Sequence, residues 1–446
     1  MRRHLLLLLF AILLLSEMFG WKLGVSQGFS IKNAFLYGFF LVILVERLSS
    51  GASRDPLLSK IHLPFISLIL VGGISWVLSD LRTHAQNYSD EDRLIALKST
   101  LADFYFFFLV YYYGVRNLED AMILAKNILM LVFVSNVITV IDVYNIPDLG
   151  IIKQMDSESN RGRLMGPIGE PNQYAAFLAF FFPSYIALAF ATTRGKIVRS
   201  MYLSASLATI ITLLLTGSRG GIFGLIAGAV WGYWQVREKV RVKAILKMIA
   251  LALPVVGVAV AIAVIKYSTL LFGRIDATAQ AGNASAMSAG RTMIWQMGLN
   301  VMADNPISFI TGMGWHTFAA YVGIVPHNTY LWYFFNLGAI GLILYLLILR
   351  NILKLTREAI SGMSVDGDML LMGFLFGFAA LLVSVFFVDL FAPWYFIWAY
   401  AGVMARVIVQ MNAEARLQRE RNSDGEAVNI APFPSVPAHA LRVQGY

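Results

Sequence analysis

The chain has 446 residues, of which 58% are hydrophobic and 14% are charged, and its formal net charge is +9. Soluble domains carry about a quarter charged residues, so this composition excludes an ordinary soluble enzyme and indicates that lipid is the solvent for much of the chain. The absence of cysteine excludes disulfides, thiolate metal sites and cysteine nucleophiles. The positive charge does not indicate nucleic-acid binding, because the basic residues lie mainly in short loops between apolar segments.

Apolar segments recur along the chain at about the length of 17 to 25 residues that crosses a bilayer. They predict an all-α polytopic membrane protein of about 12 transmembrane helices, with the short pair around Gly217 the least regular. We interpret the first segment as a retained helix rather than a signal peptide, because residues 16–20 show no small-x-small cleavage site. The predicted segments are 5–20, 31–46, 63–79, 98–115, 121–144, 173–192, 201–216, 220–235, 247–265, 328–349, 369–388 and 391–409.

The distribution of lysine and arginine predicts the orientation, because cytoplasmic loops carry the excess of these residues. If the N-terminus is placed in the cytoplasm, most of the basic residues lie on that side, and so does the C-terminal tail. The basic residues assigned to the inner side include Arg2, Arg3, Arg47, Arg54, Lys60, Arg116, Arg194, Lys196, Arg199, Arg237, Lys239, Arg241, Lys243, Lys247, Arg350, Lys354 and Arg357.

Two predicted outer segments, about 145–172 and 266–327, are too long to be simple connectors. Long ordered loops on a rigid scaffold frequently carry function. Within the second, the Ala/Gly/Ser-rich stretch 276–290 is expected to be mobile, and 292–302 is an amphipathic helix at the membrane surface. The tail from Asn412 is predicted to be a short helical extension followed by disorder.

Arg219 lies in a turn between two apolar segments, with Gly217 before it and Gly220 and Gly221 after it. The glycines allow a sharp turn that leaves backbone amides open to a ligand. An arginine beside open amides and a helix N-terminus suits an anion such as a phosphate. The alternative is an arginine that snorkels to the membrane interface, but the glycine setting favours the anion site.

Two further arginines on the predicted outer side are candidate anion ligands. Arg291 opens the amphipathic stretch and would supply a second guanidinium to a diphosphate, although a solvated loop arginine is the commoner case. Arg163 precedes a Gly/Pro-rich loop in which Asn172 caps the next helix, and Glu170 is expected to shape the same entry. Arg161 is expected to be solvated.

His327 lies where the long outer loop meets the next span, directly before Asn328. An imidazole there is suited to act as a general base near neutral pH, although a lone histidine is more often structural. Gly338 and Gly341 follow, and we expect them to permit close helix approach. Asp389, near a predicted span end, is interpreted as an interfacial residue.

Together these motifs resemble a known family. The spacing His-Asn, nine residues, Gly, two residues, Gly from His327 to Gly341 resembles the histidine signature of the bacterial O-antigen ligase and polysaccharide polymerase superfamily. The turn Thr216-Gly-Ser-Arg-Gly-Gly221 is similar to that family's outer-face arginine motif, and Gly169–Asn172 and the long loop also agree. The likeness is densest over 160–345, with Arg291 matched only by its place in the loop.

The resemblance implies glycosyl transfer on the periplasmic side of the bacterial inner membrane. The donor would be a glycan on undecaprenyl diphosphate, and the acceptor a hydroxyl of lipid A–core. Arg219 and Arg291, with Arg163, would bind the diphosphate, and His327 would take the acceptor proton in one inverting displacement. No cofactor is implied, and metal independence is expected because the outer loops carry no paired Asp/Glu motif.

Other functions stay open at this level. A polymerase, which passes the glycan to another lipid-linked glycan, would share the donor, His327 and the arginines. A transporter of lipid-linked glycans is a second alternative, but the spans show neither a deep charged relay nor repeat symmetry. Surrounding membrane lipids are the remaining partners expected.

The resemblance also divides the chain into regions. Residues 1–160 are N-terminal transmembrane helices, and 161–345 form a ligase-like catalytic region that includes the periplasmic loop 266–327. Residues 346–411 are C-terminal transmembrane helices, and 412–446 form a cytoplasmic, partly disordered tail.

Overall fold

The computed structural model describes residues 2–19, 24–26, 29–49, 55–82, 90–143, 163–191, 195–279, 288, 290–361 and 366–423. This part of the chain is almost entirely helical, which confirms the predicted all-α class. The exception is a short antiparallel hairpin of β1 (Gly24–Ser26) and β2 (Phe29–Ser30).

Sixteen α-helices lie in the described residues. The first ten are α1 (Arg2–Met18), α2 (Ile31–Ser49), α3 (Leu63–Arg82), α4 (Asp90–Leu97), α5 (Asp103–Tyr113), α6 (Leu118–Val143), α7 (Pro171–Ala191), α8 (Lys196–Leu215), α9 (Arg219–Val236) and α10 (Val242–Ala279). The others are α11 (Arg291–Ala303), α12 (Ser308–Thr311), α13 (Phe318–Val322), α14 (Thr329–Ala359), α15 (Asp366–Ser384) and α16 (Ala392–Ser423). The π-helical turns Leu58–His62 and Lys98–Ala102 precede α3 and α5, and a 3-10 turn, Gly166–Ile168, precedes α7.

Eight helical stretches in the described residues are long and apolar enough to cross a membrane. Each corresponds to one of the predicted segments, so a polytopic membrane protein is confirmed. They are Leu58–Ser79, Glu91–Tyr113, Leu118–Asp142, Pro171–Ala191, Lys196–Leu215, Val242–Ala261, Thr329–Ala359 and Asp366–Ser384. The other predicted segments coincide with α1, α2, α9 and α16, which form helices, so the count of twelve spans stays a prediction.

Small residues bring α15 into close contact with the helices on either side of it. A Cβ at Gly228 of α9 would lie 2.4 Å from the Ala380 nitrogen, and one at Gly377 of α15 would lie 1.9 Å from the Phe180 oxygen in α7. Helices in a bilayer associate through close packing of this kind, because the surrounding lipid is as apolar as their surfaces and no hydrophobic effect drives them together. The α7–α15–α9 layer is therefore the rigid centre on which the loops at both ends are built.

The predicted boundaries of the long outer segment need a correction. Helix α10 continues to Ala279, well beyond the expected end at 265. Residues 266–279 contain no proline and a single glycine, so nothing in their sequence ends the helix. The stretch expected to be mobile, 276–290, thus begins inside α10, and most of the rest of it lies outside the described residues.

The amphipathic stretch forms a helix, α11, as predicted. Ile294, Gly298 and Met302, at spacings of four, are buried, and Met293 and Met297 are exposed. Gly298 packs against the ring of Phe318, from which an added Cβ would be 2.7 Å away.

Helix α14 is broken at Gly338, whose φ of 65° and ψ of −166° are not helical. The rings of Tyr333 and Tyr345 stack 4.0 Å apart across the break. In a continuous helix, residues twelve apart are about 18 Å apart along the axis. The chain therefore reverses at Gly338, so that residues 329–337 form a short helix folded back on the longer one, 339–359. The predicted span 328–349 is therefore not one straight helix: its first ten residues precede the break, and 339–349 belong to the longer helix.

The loop after α12 satisfies the carbonyl groups left open at this break. The Met313 nitrogen donates to the Phe335 oxygen (2.7 Å), and the Gly314 nitrogen and the Ser75 hydroxyl donate to the Asn336 oxygen (3.3 and 2.8 Å). The last carbonyls of a helix have no partner within it, so these bonds stabilise the break.

The helical extension of the tail is confirmed in part. Helix α16 runs to Ser423, and the segment expected to be disordered, 424–446, lies outside the described residues.

Candidate active site

His327 lies just before α14 in a backbone conformation that non-glycine residues seldom adopt, with φ at 51°. The carboxylate of Asp389 holds it there. Asp389 Oδ2 accepts from the His327 backbone nitrogen (2.6 Å), and its Oδ1 accepts from that of Asn328 (2.9 Å). Asp389 is 4% exposed and lies between α15 and α16. Such strain persists only where neighbouring groups impose it, and it concentrates at functional sites.

The Asn328 side chain hydrogen-bonds to helix α14 rather than to the imidazole of His327. Its side chain accepts from the Leu331 nitrogen (3.0 Å) and so caps the N-terminus of α14. Thr329 is anchored to the segment before Asp389, because its hydroxyl donates to the Val388 oxygen (2.9 Å) and its nitrogen to the Val385 oxygen (2.9 Å). The start of α14 is therefore fixed to the loop after α15.

Arg163 is buried, and its guanidinium joins two segments of the site. Nε donates to the Thr216 oxygen (2.7 Å) and a terminal nitrogen donates to Asn172 Oδ1 (2.8 Å). Asn172 in turn donates to Glu170 Oε1 (2.8 Å). The structure thus shows Arg163 holding the arginine turn (216–221) against the Gly-x-Pro-Asn segment (169–172), while its predicted contact with an anion stays a prediction.

The Gly-x-Pro-Asn segment also reaches the loop that carries Asp389. Glu170 Oε2 accepts from the Gln173 nitrogen (2.5 Å), and Gln173 Oε1 accepts from the Phe391 nitrogen (3.1 Å). Asn172 is therefore one member of a chain of hydrogen bonds, rather than the cap of α7 that the sequence predicted.

The arginine turn has the sharp bend that was predicted, with Gly217 at a φ of 59°. Its other glycines serve packing: a Cβ at Gly220 would lie 2.9 Å from Phe387 Cβ, and one at Gly221 would lie 2.6 Å from Ala175 Cβ. The Gly221 amide was expected to be open to a ligand, but it donates to Ser218 Oγ (3.4 Å). Arg219, exposed, is the first residue of α9.

Arg291 is the first residue of α11, after Gly290 in a left-handed conformation. One turn later, Trp295 Nε1 donates to the oxygen of Pro326, the residue before His327 (2.8 Å). The Trp295 ring also packs edge-on against Phe386, at 5.4 Å between centroids. Helix α11 therefore contacts both the residue before His327 and the loop that carries Asp389.

Charge couples these residues. Burial lowers the pKa of His327, the positive charge of Arg291 lowers it further, and Glu170 opposes the change. Burial raises the pKa of Asp389 to about 7. The hydrogen bonds from His327 and Asn328 and the charge of Arg291 lower this pKa, and the charge of Glu170 raises it. Arg291 and Glu170 act on both groups, so the four side chains share one site. A histidine with a lowered pKa is neutral at pH 7 and available as a base.

The structure thus brings His327, Arg291 and the 163–172 segment together around the loop 385–391, against which Gly220 places the arginine turn. Gly338 and Gly341 contribute through the break in α14. A Cβ at Gly338 would lie 2.2 Å from the Ile310 oxygen, and one at Gly341 would lie 2.1 Å from Leu337 Cβ. The close approach predicted for these glycines is therefore to helix α12 and to the short helix 329–337.

Asp389 is the residue that sequence reasoning missed. It was interpreted as interfacial, although its place between two long apolar segments was a usable signal, because a charge near a membrane span is a functional candidate by default. Nothing in the sequence indicated that its partners are backbone nitrogens more than sixty residues earlier.

Comparison with known families supports the family resemblance. Residues 204–346 match the family model described as O-antigen ligase, which confirms the resemblance noted in the sequence. The match includes Arg219, Arg291 and His327, while Arg163 and Asp389 lie outside it. A search of curated proteins found no match to the chain.

Proposed function

We propose that this membrane protein, which carries an O-antigen ligase-type domain, transfers a glycan from undecaprenyl diphosphate to a hydroxyl of lipid A–core. The observation that carries the proposal is the half-buried His327, which Asp389 holds in a left-handed backbone conformation, beside the positive charge of Arg291 that helps to lower its pKa. A base next to a cation suits a reaction in which a hydroxyl loses a proton while an anionic group departs.

The diphosphate-binding role falls to Arg219 and Arg291. Each is the first residue of its helix, α9 and α11, where the helix dipole and the first amides already favour an anion. A guanidinium adds a planar pair of donors that matches phosphate oxygens. Arg163 supports the site by holding the turn before Arg219, through its bond to the Thr216 oxygen.

One displacement accounts for the chemistry. The acceptor oxygen forms a bond to the anomeric carbon as its proton passes to the His327 imidazole. The bond between that carbon and the diphosphate oxygen breaks, and the electron pair leaves with the lipid diphosphate, whose charge the arginines stabilise. Attack opposite the leaving group inverts the anomeric centre. The step uses no metal ion.

The proposed location is the periplasmic face of the bacterial inner membrane. Its support is the lysine and arginine distribution, which places His327 and Arg219 on the outer side. Reporter fusions after Lys196, Arg241 and Arg357 should report the cytoplasm, and one near Gly282 should report the periplasm. A cytoplasmic signal at Gly282 would separate the site from its substrate and overturn the enzymatic proposal.

The acceptor distinguishes a ligase from a polymerase, which the same family includes. The test uses the purified full-length protein with a lipid-linked glycan donor and, separately, lipid A–core or a second lipid-linked glycan. Glycan-capped lipid A–core with release of undecaprenyl diphosphate is expected. Chain extension on the lipid-linked acceptor alone would assign a polymerase, and transfer to neither acceptor would contradict both.

A further inference from the structure

A large apolar cavity lies between α1 and α2, far along the chain from the site described above. Its volume is about 580 Å³, within the range of roughly 300–1,000 Å³ that is usual for ligand sites. Leu5, Phe35, Phe39 and Val42 are among the side chains that line it. Leu5, Phe35 and Val42 are each more than a third exposed, so this lining is open to the surroundings of the helices.

A second cavity, of about 440 Å³, adjoins the first. The two share Arg2 and Gly114, and the second is also lined by Arg3, Arg116 and Asp120. Arg3 pairs with Asp120 (2.7 Å), but its Nε is buried without a hydrogen-bond partner in the described part of the chain. The two adjoining cavities are thus apolar between α1 and α2 and cationic beside Arg2.

The charges beside Arg2 do not cancel. Arg2 and Arg116 share one carboxylate, Glu46 of α2, and Arg3 has Asp120, so three arginines face two acids. Arg406 adds a further cation, since it donates to the Arg116 oxygen (2.7 Å). The cationic end therefore complements an additional anion.

The packing of α1 and α2 explains why the space is unfilled. The Arg2–Glu46 pair joins the two helices at one end. Further along, a Cβ added at Gly38 would meet no atom within 4 Å. In a membrane, such an apolar groove is filled by a hydrocarbon chain, and here the groove leads to three arginines at the position of a headgroup.

We propose that this space binds an anionic glycerophospholipid, with an acyl chain between α1 and α2 and the phosphate at Arg2, Arg3 and Arg116. The bound lipid completes the contact between the two helices. This inference is independent of the glycosyl-transfer proposal, because it involves none of the residues around His327.

The groove is tested with the full-length protein in phosphatidylcholine nanodiscs that contain phosphatidylglycerol with a photoreactive acyl chain. Crosslinks should map to the groove-lining residues of α1 and α2. Gly38→Leu fills the groove and should lower this yield at least tenfold. Gly73→Leu is the matched control, because Gly73 also lies in a helix with no atom within 4 Å of an added Cβ. It should leave the yield unchanged.

The cationic end is tested by the preference for phosphatidylglycerol over phosphatidylcholine with the same photoreactive chain. A basic residue near a membrane surface changes anionic-lipid binding about fivefold. Arg116→Gln should lower the preference by about that factor. Arg199→Gln removes one exposed charge from the first turn of α8 and should not.

Three results would overturn the proposal. The first is equal crosslinking in the Gly38→Leu and Gly73→Leu proteins, and the second is no preference for phosphatidylglycerol in the wild type. The third is loss of the crosslinks on addition of inorganic phosphate or undecaprenyl phosphate but not of excess unlabelled phosphatidylglycerol. That result would assign the space to a free anion or to a polyprenyl lipid.

Discussion

Two regions of the molecule use their acidic residues in different ways. At the end predicted to face the cytoplasm, cations meet carboxylates or helix carbonyls. Arg3 pairs with Asp120 (2.7 Å) and Lys126 with Asp366 (2.6 Å), and Lys239 donates to the Arg357 oxygen (2.6 Å) at the end of α14. Each of these contacts neutralises a charge or caps a helix.

In the site around His327, the two carboxylates accept hydrogen bonds from neutral donors. Asp389 accepts from two backbone nitrogens, and Glu170 accepts from Asn172 and the Gln173 nitrogen. The buried arginine there, Arg163, donates to a carbonyl and an amide. The acids therefore fix geometry, and the charge of Arg291 still acts on His327 and Asp389. In the first region the acids neutralise cations, and in the second they hold the backbone around His327.

The largest loss of activity is expected from the removal of the Arg219 side chain. Arg219→Ala should abolish glycan transfer and leave expression and folding intact, because the side chain is exposed. Arg219→Lys should restore transfer only partly, since a point charge cannot reproduce the planar fork. Arg291→Ala should also lose transfer. The measurement is release of undecaprenyl diphosphate by the purified protein.

Arg237→Ala is the matched control for Arg219, because Arg237 directly follows the other end of α9 and packs over Trp234 at 4.0 Å. It should retain transfer. Normal donor binding and turnover in Arg219→Ala would show that the arginines at the two ends of α9 are equivalent.

The next largest effect is expected at His327. General-base help is worth about 10²- to 10⁴-fold, so His327→Ala should lose that much turnover and keep its affinity for the donor. His327→Asn should fail almost as badly, although asparagine tolerates the left-handed backbone. His316→Asn is the control, because His316 shares the conformation, with φ at 61°. If the His327→Asn protein keeps most of its turnover, His327 is assigned to positioning.

The pH profile adds a second readout for His327. Its base form is needed, so activity should fall as pH drops through its pKa, which burial and Arg291 place below the ordinary value of about 6.5. The residual activity of His327→Ala should lack this inflection. An unchanged acid limb in the variant would locate the base elsewhere.

Asp389→Asn tests whether the Asp389 carboxylate holds the backbone of His327 and Asn328 in place. The amide oxygen of the asparagine can accept a hydrogen bond from one of the two backbone nitrogens, that of His327 or that of Asn328. Its NH₂ group, which is itself a donor, faces the other nitrogen and cannot accept from it. Leaving one of these buried donors without a partner costs about 1–3 kcal/mol, and we expect the displaced His327 to lower turnover roughly ten- to hundredfold. Asp304→Asn, an exposed acid at the end of α11, should have no effect.

Stability against pH tests the same residue. The pKa of Asp389 is raised to about 7, so between about pH 4 and 7 the folded protein holds a proton that the unfolded chain has released. Unfolding free energy should therefore fall as pH rises through this window. In Asp389→Asn that part of the fall should be missing when thermal unfolding in detergent is compared at pH 5 and pH 8. An identical change in both proteins would contradict the raised pKa.

How much the sequence predicted depended on how local each signal is. The apolar segments, the amphipathic α11, the bend at Gly217 and the His–Asn pair before α14 are patterns within a few residues, and the structure has each of them. Asp389 depends on a contact across 62 residues, and Arg163 on one across 53. A pattern in the neighbouring sequence contains no information about such partners.

The break in α14 shows the same limit within a single helix. The sequence around Gly338 is apolar and continuous, so it predicted an unbroken span. The loop 312–314 and Ser75 supply the donors that stabilise the break, and they lie far from it in the sequence. The glycine spacing of the family signature was recognised, but the conformation that it serves was not.

The smallest expected effect on catalysis, and the clearest on folding, comes from this break. Gly338→Ala places a Cβ 2.2 Å from the Ile310 oxygen in a residue with φ at 65°. Gly323→Ala is matched, because Gly323 also has a positive φ of 84° but open space around it. The control should lose about 1–2 kcal/mol from the left-handed backbone alone. Gly338→Ala should lose clearly more in thermal unfolding, because its φ of 65° with a ψ of −166° is a conformation that essentially only glycine adopts, and because the segment 310–314 must also move. Protein that still folds should bind the donor normally, since the arginines lie on other helices. Equal destabilisation of the two variants would show that the reversal at Gly338 does not depend on the close packing of this loop.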